Sequence, residues 1–387
     1  MMTVDLAFES LRRRAAEEHG REIHVTWHTL HPPETAPQRT DIGQVDFPAA
    51  FRPLDEYRPA LRKHDAVVFW GDFLHARHYL IQDAAKRLRD HAGMTDPAAV
   101  HRLLVRNLLL VEEPDDVLAR TLAYGGSILH NTQSDYEDKE YGPAFIRLMT
   151  RSNRVWMRDP LSAVKIAQLR GDQTGETFGA DAALLSRPEE ELLPTTQWSR
   201  ELPAGKAVGV FLGSRTEIPD WLPGFCRNVA KRLGTQMEWL PWFDRPVPEP
   251  FRDLTLRPGE RTMGDLLAVL PRYRLVITDT YHLALNSWGR GTPVLCVGAP
   301  QPAAPKEGDY LTENDLKKQI FHLAYEAADF YLATLPYTSH VHDQRIDRLA
   351  HLIEGDGATA IANRINDHAQ RSAKEFTTAL TSTLDSR

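Results

Sequence analysis

Short apolar runs alternate along this chain with stretches whose apolar positions recur at helical spacing, and most of the runs stop at glycine or at a polar tip. Asp65-Ala66-Val67-Val68-Phe69-Trp70 predicts a buried strand ending at Gly71-Asp72, and Phe73 to Arg89 then carries the helical period. Leu118 to Tyr124 predicts a second strand, stopped by Gly125-Gly126-Ser127, and Val155 to Met157 a third, stopped by Arg158-Asp159. Asp159 then stands as a cap, with Pro160 at the first position of a helix to Leu169. An amphipathic helix, Val4 to His19, a short strand, Ile23 to Trp27, and a polar Pro-rich loop, His31 to Arg39, precede this series, and Asp181 to Leu185 closes it.

The pattern restarts after Ser186 to Gly205, a stretch with three prolines, several glutamates and few apolar residues that reads as a linker. Ala207 to Leu212 predicts a strand ending at Gly213-Ser214-Arg215, followed by a helix from about Asp220 to Leu233 and a strand at Met237 to Leu240. A Pro-rich loop to Pro258 and a helix at Met263 to Leu270 lead to Leu275-Val276-Ile277, an apolar strand that runs into the polar tip Thr278-Asp279-Thr280-Tyr281-His282. Leu283 to Gly289 predicts a helix and Pro293 to Val297 a further strand, and from about Asp343 the pattern is helical without a sheet signal.

Strand and helix in alternation mean a parallel sheet with right-handed crossovers, and the series occurs twice. The expected fold class is α/β: two Rossmann-like, doubly wound parallel-sheet domains facing a cleft, with C-terminal helices. Residues 1–190 make the expected N-terminal domain, 191–205 the linker, 206–335 the C-terminal domain, and 336–387 helices packing back on the domains.

A chain of 387 residues, 42% apolar, exceeds one ordinary core and suffices for two. Its formal net charge of −7 comes from 46 basic and 53 acidic residues, interspersed and without a long Lys or Arg block, so nucleic acid is not an expected partner. Cys226 and Cys296 each lie in an apolar context, which supports neither a disulfide framework nor a zinc site and suits a reducing compartment. Neither an apolar leader nor a run long enough to span a bilayer is present, and a cytoplasmic location is expected. The three-glycine dinucleotide pattern, a phosphate-binding loop of the Walker kind, a nucleophile elbow and clustered metal ligands are all missing from the sequence, so no cofactor and no metal are expected.

Ligands of open parallel sheets bind outside the carboxyl ends of the strands, which directs attention to the polar tips. These hold Asp72 with His75 and His78, Ser127 with His130, Arg158 with Ser162, Ser214 with Arg215, and Asp279 with Thr280, Tyr281 and His282. An imidazole at the start of a helix, as at His282, suits proton transfer near neutral pH; its competing reading is a capping or core-satisfied histidine. Arg158 and Arg215 are placed to hold a carboxylate or phosphate by paired hydrogen bonds, against the alternative of surface ion pairs. For Asp72, His75 and His78 the competing reading is a solvated helix face. Among eight tryptophans, Trp27, Trp70, Trp221, Trp239, Trp242 and Trp288 suit either stacking on sugar rings or filling the core.

In motif order from about Asp65 to Leu332, the chain resembles the polysaccharide pyruvyl transferase family. The resemblance rests on Gly71-Asp72, Ala123-Tyr124-Gly125-Gly126-Ser127-Ile128, Val155-Trp156-Met157-Arg158-Asp159-Pro160-Leu161-Ser162, Phe178-Gly179-Ala180-Asp181-Ala182-Ala183, Val276-Ile277-Thr278-Asp279-Thr280-Tyr281-His282 with Gly291-Thr292-Pro293-Val294, and Asn314-Asp315-Leu316-Lys317-Lys318. It implies a GT-B-type fold and transfer of a pyruvyl group, as a ketal, from phosphoenolpyruvate as co-substrate to a sugar hydroxyl during polysaccharide or exopolysaccharide synthesis. The N-terminal domain would then take the acceptor and the C-terminal domain the donor. His282 would act as general acid or base, Asp279 as orienter of His282 or of the acceptor hydroxyl, Arg158 and Arg215 as anion clamps, and Thr280, Tyr281, Asp72 and Ser127 as further substrate contacts. Where the family usually reads Arg-Leu-His, this chain has Thr280-Tyr281-His282, an uncharged hydroxyl in place of a permanent cation.

Two other readings stand beside it. One is a GT-B-type glycosyltransferase with a nucleotide-sugar donor, its diphosphate near Ser214-Arg215 and the helix after Asp279. The other is a non-catalytic member that binds a glycan or an anionic metabolite. Expected partners are thus a small anionic donor and a carbohydrate-type acceptor, with the acceptor's identity and the oligomeric state, a homo-oligomer included, left open by the sequence.

Overall fold

The computed structural model describes residues 2–29, 51–53, 61–71, 74–185, 193, 195–200, 204–205, 207–213, 218–242, 246–256, 261–298, 313–333 and 339–386. The chain divides into two compact units, the first from Met1–Gln38, Asp46–Ser186 and His368–Arg387, the second from Arg39–Val45 and Arg187–Asp367.

In the first unit β1 (Trp27–Thr29) and β2 (Phe51–Pro53) pair in parallel, and β3 (Val67–Trp70), β4 (Thr121–Gly126) and β5 (Arg154–Met157) form a second parallel sheet in that order. Side chains alternate across a strand, so adjacent residues serve opposite faces. Phe69, Ala123, Val155 and Met157 join one core with Leu80, Val100, Leu104, Phe145 and Ile166. On the other face the register aligns Trp70 with Tyr124 and Tyr124 with Trp156. Trp70 and Tyr124 stack at 5.0 Å, and Phe376 lies 5.0, 5.4 and 6.1 Å from the three rings in turn. Phe8, on the helix Met2–His19, packs edge-on against Trp70 and Phe376, while Trp70 Nε1 donates to the Val4 carbonyl at 2.7 Å. The aromatic row is therefore covered by the first helix and by the later part of the last, Gly357–Asp385.

The second unit carries β6 (Ala207–Phe211), β7 (Gln236–Trp239), β8 (Thr255–Leu256), β9 (Leu275–Thr278), β10 (Val294–Val297) and β11 (Tyr331–Leu332). Among the described residues these make one parallel sheet in the order β11-β10-β9-β6-β7-β8. The chain winds outward from β6 to β8, returns to lie beside β6 as β9, and winds outward the other way, which is the doubly wound order with its switch point between β6 and β9. β6, β9 and β10 are buried at every residue, as befits parallel strands covered on both faces.

Several boundaries differ from the sequence reading. Residues 23–26 stay outside the ladder, which begins at Trp27. Asp115–Leu118 closes as a helical turn after Pro114, which delays β4 to Thr121. The helix after β3 runs Arg77–Tyr79, passes through a π turn at Leu80–Ala84 and continues as Ala85–Ala92. Helices Pro97–Leu108 and Tyr141–Arg151 and strand β8 lie where no element is expected from the sequence. Loop His31 to Arg39 lies outside the described residues.

Candidate functional site

The switch point of the second unit is tied together by one carboxylate. Asp279, which follows β9, is 1% exposed, and its Oδ1 accepts the Gly213 amide at 2.9 Å and the Thr280 hydroxyl at 3.3 Å. Gly213 follows β6, so this side chain joins the carboxyl ends of the two strands flanking the switch. Glycine is required there, since a Cβ would run into the Phe211 ring. The Thr280 amide in turn donates to Thr278 Oγ1 at 3.0 Å, and Thr280, in an extended conformation, heads the helix Tyr281–Gly289.

His282 is half-buried on the first turn of that helix, with its ring 5.7 Å from Tyr281. Its carbonyl accepts Asn286 Nδ2 at 2.7 Å, and Arg290 bonds Asn286 Oδ1 at 3.1 Å. Tyr281 packs edge-on against Phe321 and carries Lys317 Nζ 5.1 Å above its ring, which couples this helix to the helix Glu313–Ala324. At the end of β10 a third polar group assembles: Gln319 Nε2 donates to Asp315 Oδ2 at 3.1 Å and to the Tyr331 hydroxyl at 3.2 Å. Burial, with the Asp315 carboxylate beside it, holds the Tyr331 phenol above its ordinary range, so it remains a neutral donor. Gly298 fits closely here, since a Cβ would lie 2.9 Å from Asp315 Oδ1. The three tips of β6, β9 and β10 thus present a helix start, an imidazole, a carboxylate and an ammonium group within one unit.

The tips of the first unit are locked differently. Ser127 is buried and donates to Asp159 Oδ2 at 2.8 Å; Asp159 Oδ1 caps the helix Pro160–Arg170 through the Ser162 amide, and Ser162 Oγ accepts the Ile128 amide. The Arg158 side chain, 6% exposed, donates to Asp181 Oδ2 at 3.3 Å, and Asp181 Oδ1 caps the next turn at Ala183. Lys165 Nζ donates to the Asn131 carbonyl at 3.1 Å, and burial lowers its pKa. His75 is buried edge-on against Phe69 and pushed down to about 4 by burial; its carbonyl accepts the Tyr141 hydroxyl, which itself accepts Asn131 Nδ2. His78 and His130 lie 6.1 Å apart, ring to ring.

Of the residues singled out by sequence, Asp279, Thr280, Tyr281 and His282 therefore stand together in the second unit, and Ser127 and Arg158 sit in the first within a buried hydrogen-bond frame. Asp72 and Arg215 lie outside the described residues. Asp315, Lys317 and Gln319 are not among the site residues expected from sequence, although Asp315 and Lys317 fall in one of the resembling segments; three polar positions in an amphipathic helix carry no signal of what they face. Cys226 and Cys296 are buried and stand outside any disulfide. Among the described residues no helix is long and apolar enough to cross a membrane.

The sequence matches no protein-family model and no curated protein. In three dimensions the chain is similar to a Listeria monocytogenes structure described as a UDP-N-acetylglucosamine 2-epimerase, with TM-score 0.54 and 11% identity over 100% of this chain and 94% of the other. It is also similar to Phytolacca americana UGT2 complexed with UDP-2-fluoro-glucose and pterostilbene, with TM-score 0.48 and 13% identity over 98% and 97% of the two chains. Likeness at such identity is likeness of fold: two α/β units with parallel sheets and a doubly wound second unit make this a GT-B-type, Rossmann-like chain.

Proposed function

We propose that the second unit binds a nucleotide-sugar donor and that the protein is a GT-B-type transferase delivering the sugar to a hydroxyl acceptor. The observation that carries this reading is the Asp279 staple at the switch point, because it fixes the two strand ends where doubly wound sheets receive nucleotides and sets a helix start beside them. Likeness in fold to a protein described as acting on a UDP-sugar supports it further. The diphosphate lies against the first turn of Tyr281–Gly289, where backbone amides and the helix dipole favour an anion, with the Lys317 ammonium close by. Asp315 accepts hydrogen bonds from the hydroxyls of the donor, and Gln319, whose two amide hydrogens go to Asp315 and Tyr331, offers its Oε1 as a further acceptor. His282 takes the proton of the acceptor hydroxyl as that oxygen attacks the anomeric carbon and the diphosphate leaves. Ser127, Arg158 and Asp159 keep the first unit's tips in place. The reading puts the protein in the cytoplasm, where its two buried thiols stay reduced.

A pyruvyl donor is the weaker reading for two physical reasons. Thr280 offers a hydroxyl where that chemistry calls for a permanent cation, and the Arg158 guanidinium already bonds a buried carboxylate. Thermal-shift titration separates the two, since a ligand bound only by the folded protein raises its melting temperature. UDP and UDP-glucose are expected to raise it and phosphoenolpyruvate to leave it unchanged, while His282→Ala keeps the UDP shift and loses transfer. A shift with phosphoenolpyruvate and none with any nucleotide would reverse the assignment.

A further inference from the structure

The first unit holds a cavity of about 530 Å³ walled by the helix around the π turn, by the helix Pro97–Leu108 and by residues 138–140. The turn forms part of its wall. The Ala85 amide reaches back to the Leu80 carbonyl, a five-residue closure that widens the helix and puts the residues on either side of it out of phase. Ile81 is left 43% exposed at the cavity wall beside the exposed Pro97, above Leu80 and Ala85, which are buried in the core behind them.

The rim is charged, and its Asp138 carboxylate is already engaged. Asp138 is bonded by Arg77 at 2.6 Å and by the amides of Glu140 and Tyr141; the Tyr141 amide first, with these other partners, outweighs burial and holds the carboxyl below its usual range. Glu140 lies 3.7 Å from His101. Arg89 and Lys139 remain exposed at the rim with no ion pair among the described residues. Two unspent cations over an aliphatic lining select an acid with an apolar body, since the body removes Ile81 from water while the anion meets a charge-assisted donor.

We propose that this cavity binds a small aliphatic carboxylate, its anion held by Arg89 and Lys139 and its chain laid on Ile81 and Pro97. The site belongs to the first unit alone and is independent of the nucleotide-sugar reading. Hexanoate is the probe, titrated calorimetrically into the full chain, with hexanol and acetate as controls and the Ile81 methyl signal followed by NMR. Hexanoate is expected to bind and to shift the Ile81 signal, and each control to bind on the order of tenfold more weakly or less, having lost either the charge or the chain. Arg89→Ala with Lys139→Ala is expected to weaken hexanoate by a similar factor. Both positions are exposed, so the melting temperature and any UDP-induced shift should persist in that variant. Absence of hexanoate binding, equal binding of hexanol, an unmoved Ile81 signal, or unchanged affinity in the double variant would each overturn the assignment.

Discussion

Replacing Asp279 with alanine tests whether the switch point is held by a side chain or by the sheet itself. The carboxylate is 1% exposed and accepts from the Gly213 amide and the Thr280 hydroxyl. Alanine leaves a buried N–H facing a void, and a donor deprived of a charged acceptor costs about 2–4 kcal/mol once the small cavity is included. Asparagine keeps the size and one accepting oxygen and loses only the charge, so its cost is about 1 kcal/mol. Urea unfolding followed by the fluorescence of the buried Trp239 and Trp288, with hydrogen exchange resolved by peptide, reads both effects. Asp279→Ala is expected to lower the midpoint and to quicken exchange in Ala207–Gly213 and Leu275–Tyr281, Asp279→Asn to do so by much less. If alanine leaves midpoint and exchange as they were, the staple contributes nothing and the site loses its structural basis.

Phe376 is fully buried against Trp70, Tyr124 and Trp156, so Phe376→Ala is expected to cost about 3–5 kcal/mol in urea unfolding and to raise exchange in the helix Met2–His19, whose Phe8 shares the cluster. Tyr141→Phe removes a hydroxyl that joins the His75 carbonyl to Asn131, both at 2.6 Å, and is expected to cost about 1–3 kcal/mol by the same measurement. His75 and His322 are each pushed down to about 4 by burial, against 6.5 for an exposed imidazole. Their folded values are depressed, so the unfolded chain binds the protons first; stability is full above pH 6.5 and falls between 6.5 and about 4, by roughly 3 kcal/mol per imidazole. Melting temperatures across that range should decline less steeply in His75→Phe, whose ring suits the edge-on contact with Phe69, and an unchanged slope would contradict the assignment.

Periodicity alone located β3, β5, β6, β9 and β10 to within a residue or two, because each is a mostly buried apolar run that stops at glycine or a polar tip; β7 is located as closely although only its Trp239 is buried. It passed over β8 and β11, two-residue strands too short to carry a period, and the helices Pro97–Leu108 and Tyr141–Arg151. The π turn at Leu80–Ala84 was equally silent, since its residues suit an ordinary helix and only the Ala85-to-Leu80 closure distinguishes it.

The same division holds at the candidate site. Thr278 to His282 was legible as a strand running into a helix, and its polar letters announced a tip where ligands gather. That Asp279 turns inward to hold Gly213, that Arg158 is bonded to Asp181, and that Asp315 and Lys317 join the tip of the neighbouring strand all depend on residues far apart in the chain. A run of side chains determines which segments are buried and where they stop, because that follows from local hydrophobic period and turn chemistry. Which polar groups meet is decided by strand order, and strand order is a property of the packed sheet: with β6 beside β9, one carboxylate spans two strand ends that sequence separates by 66 residues.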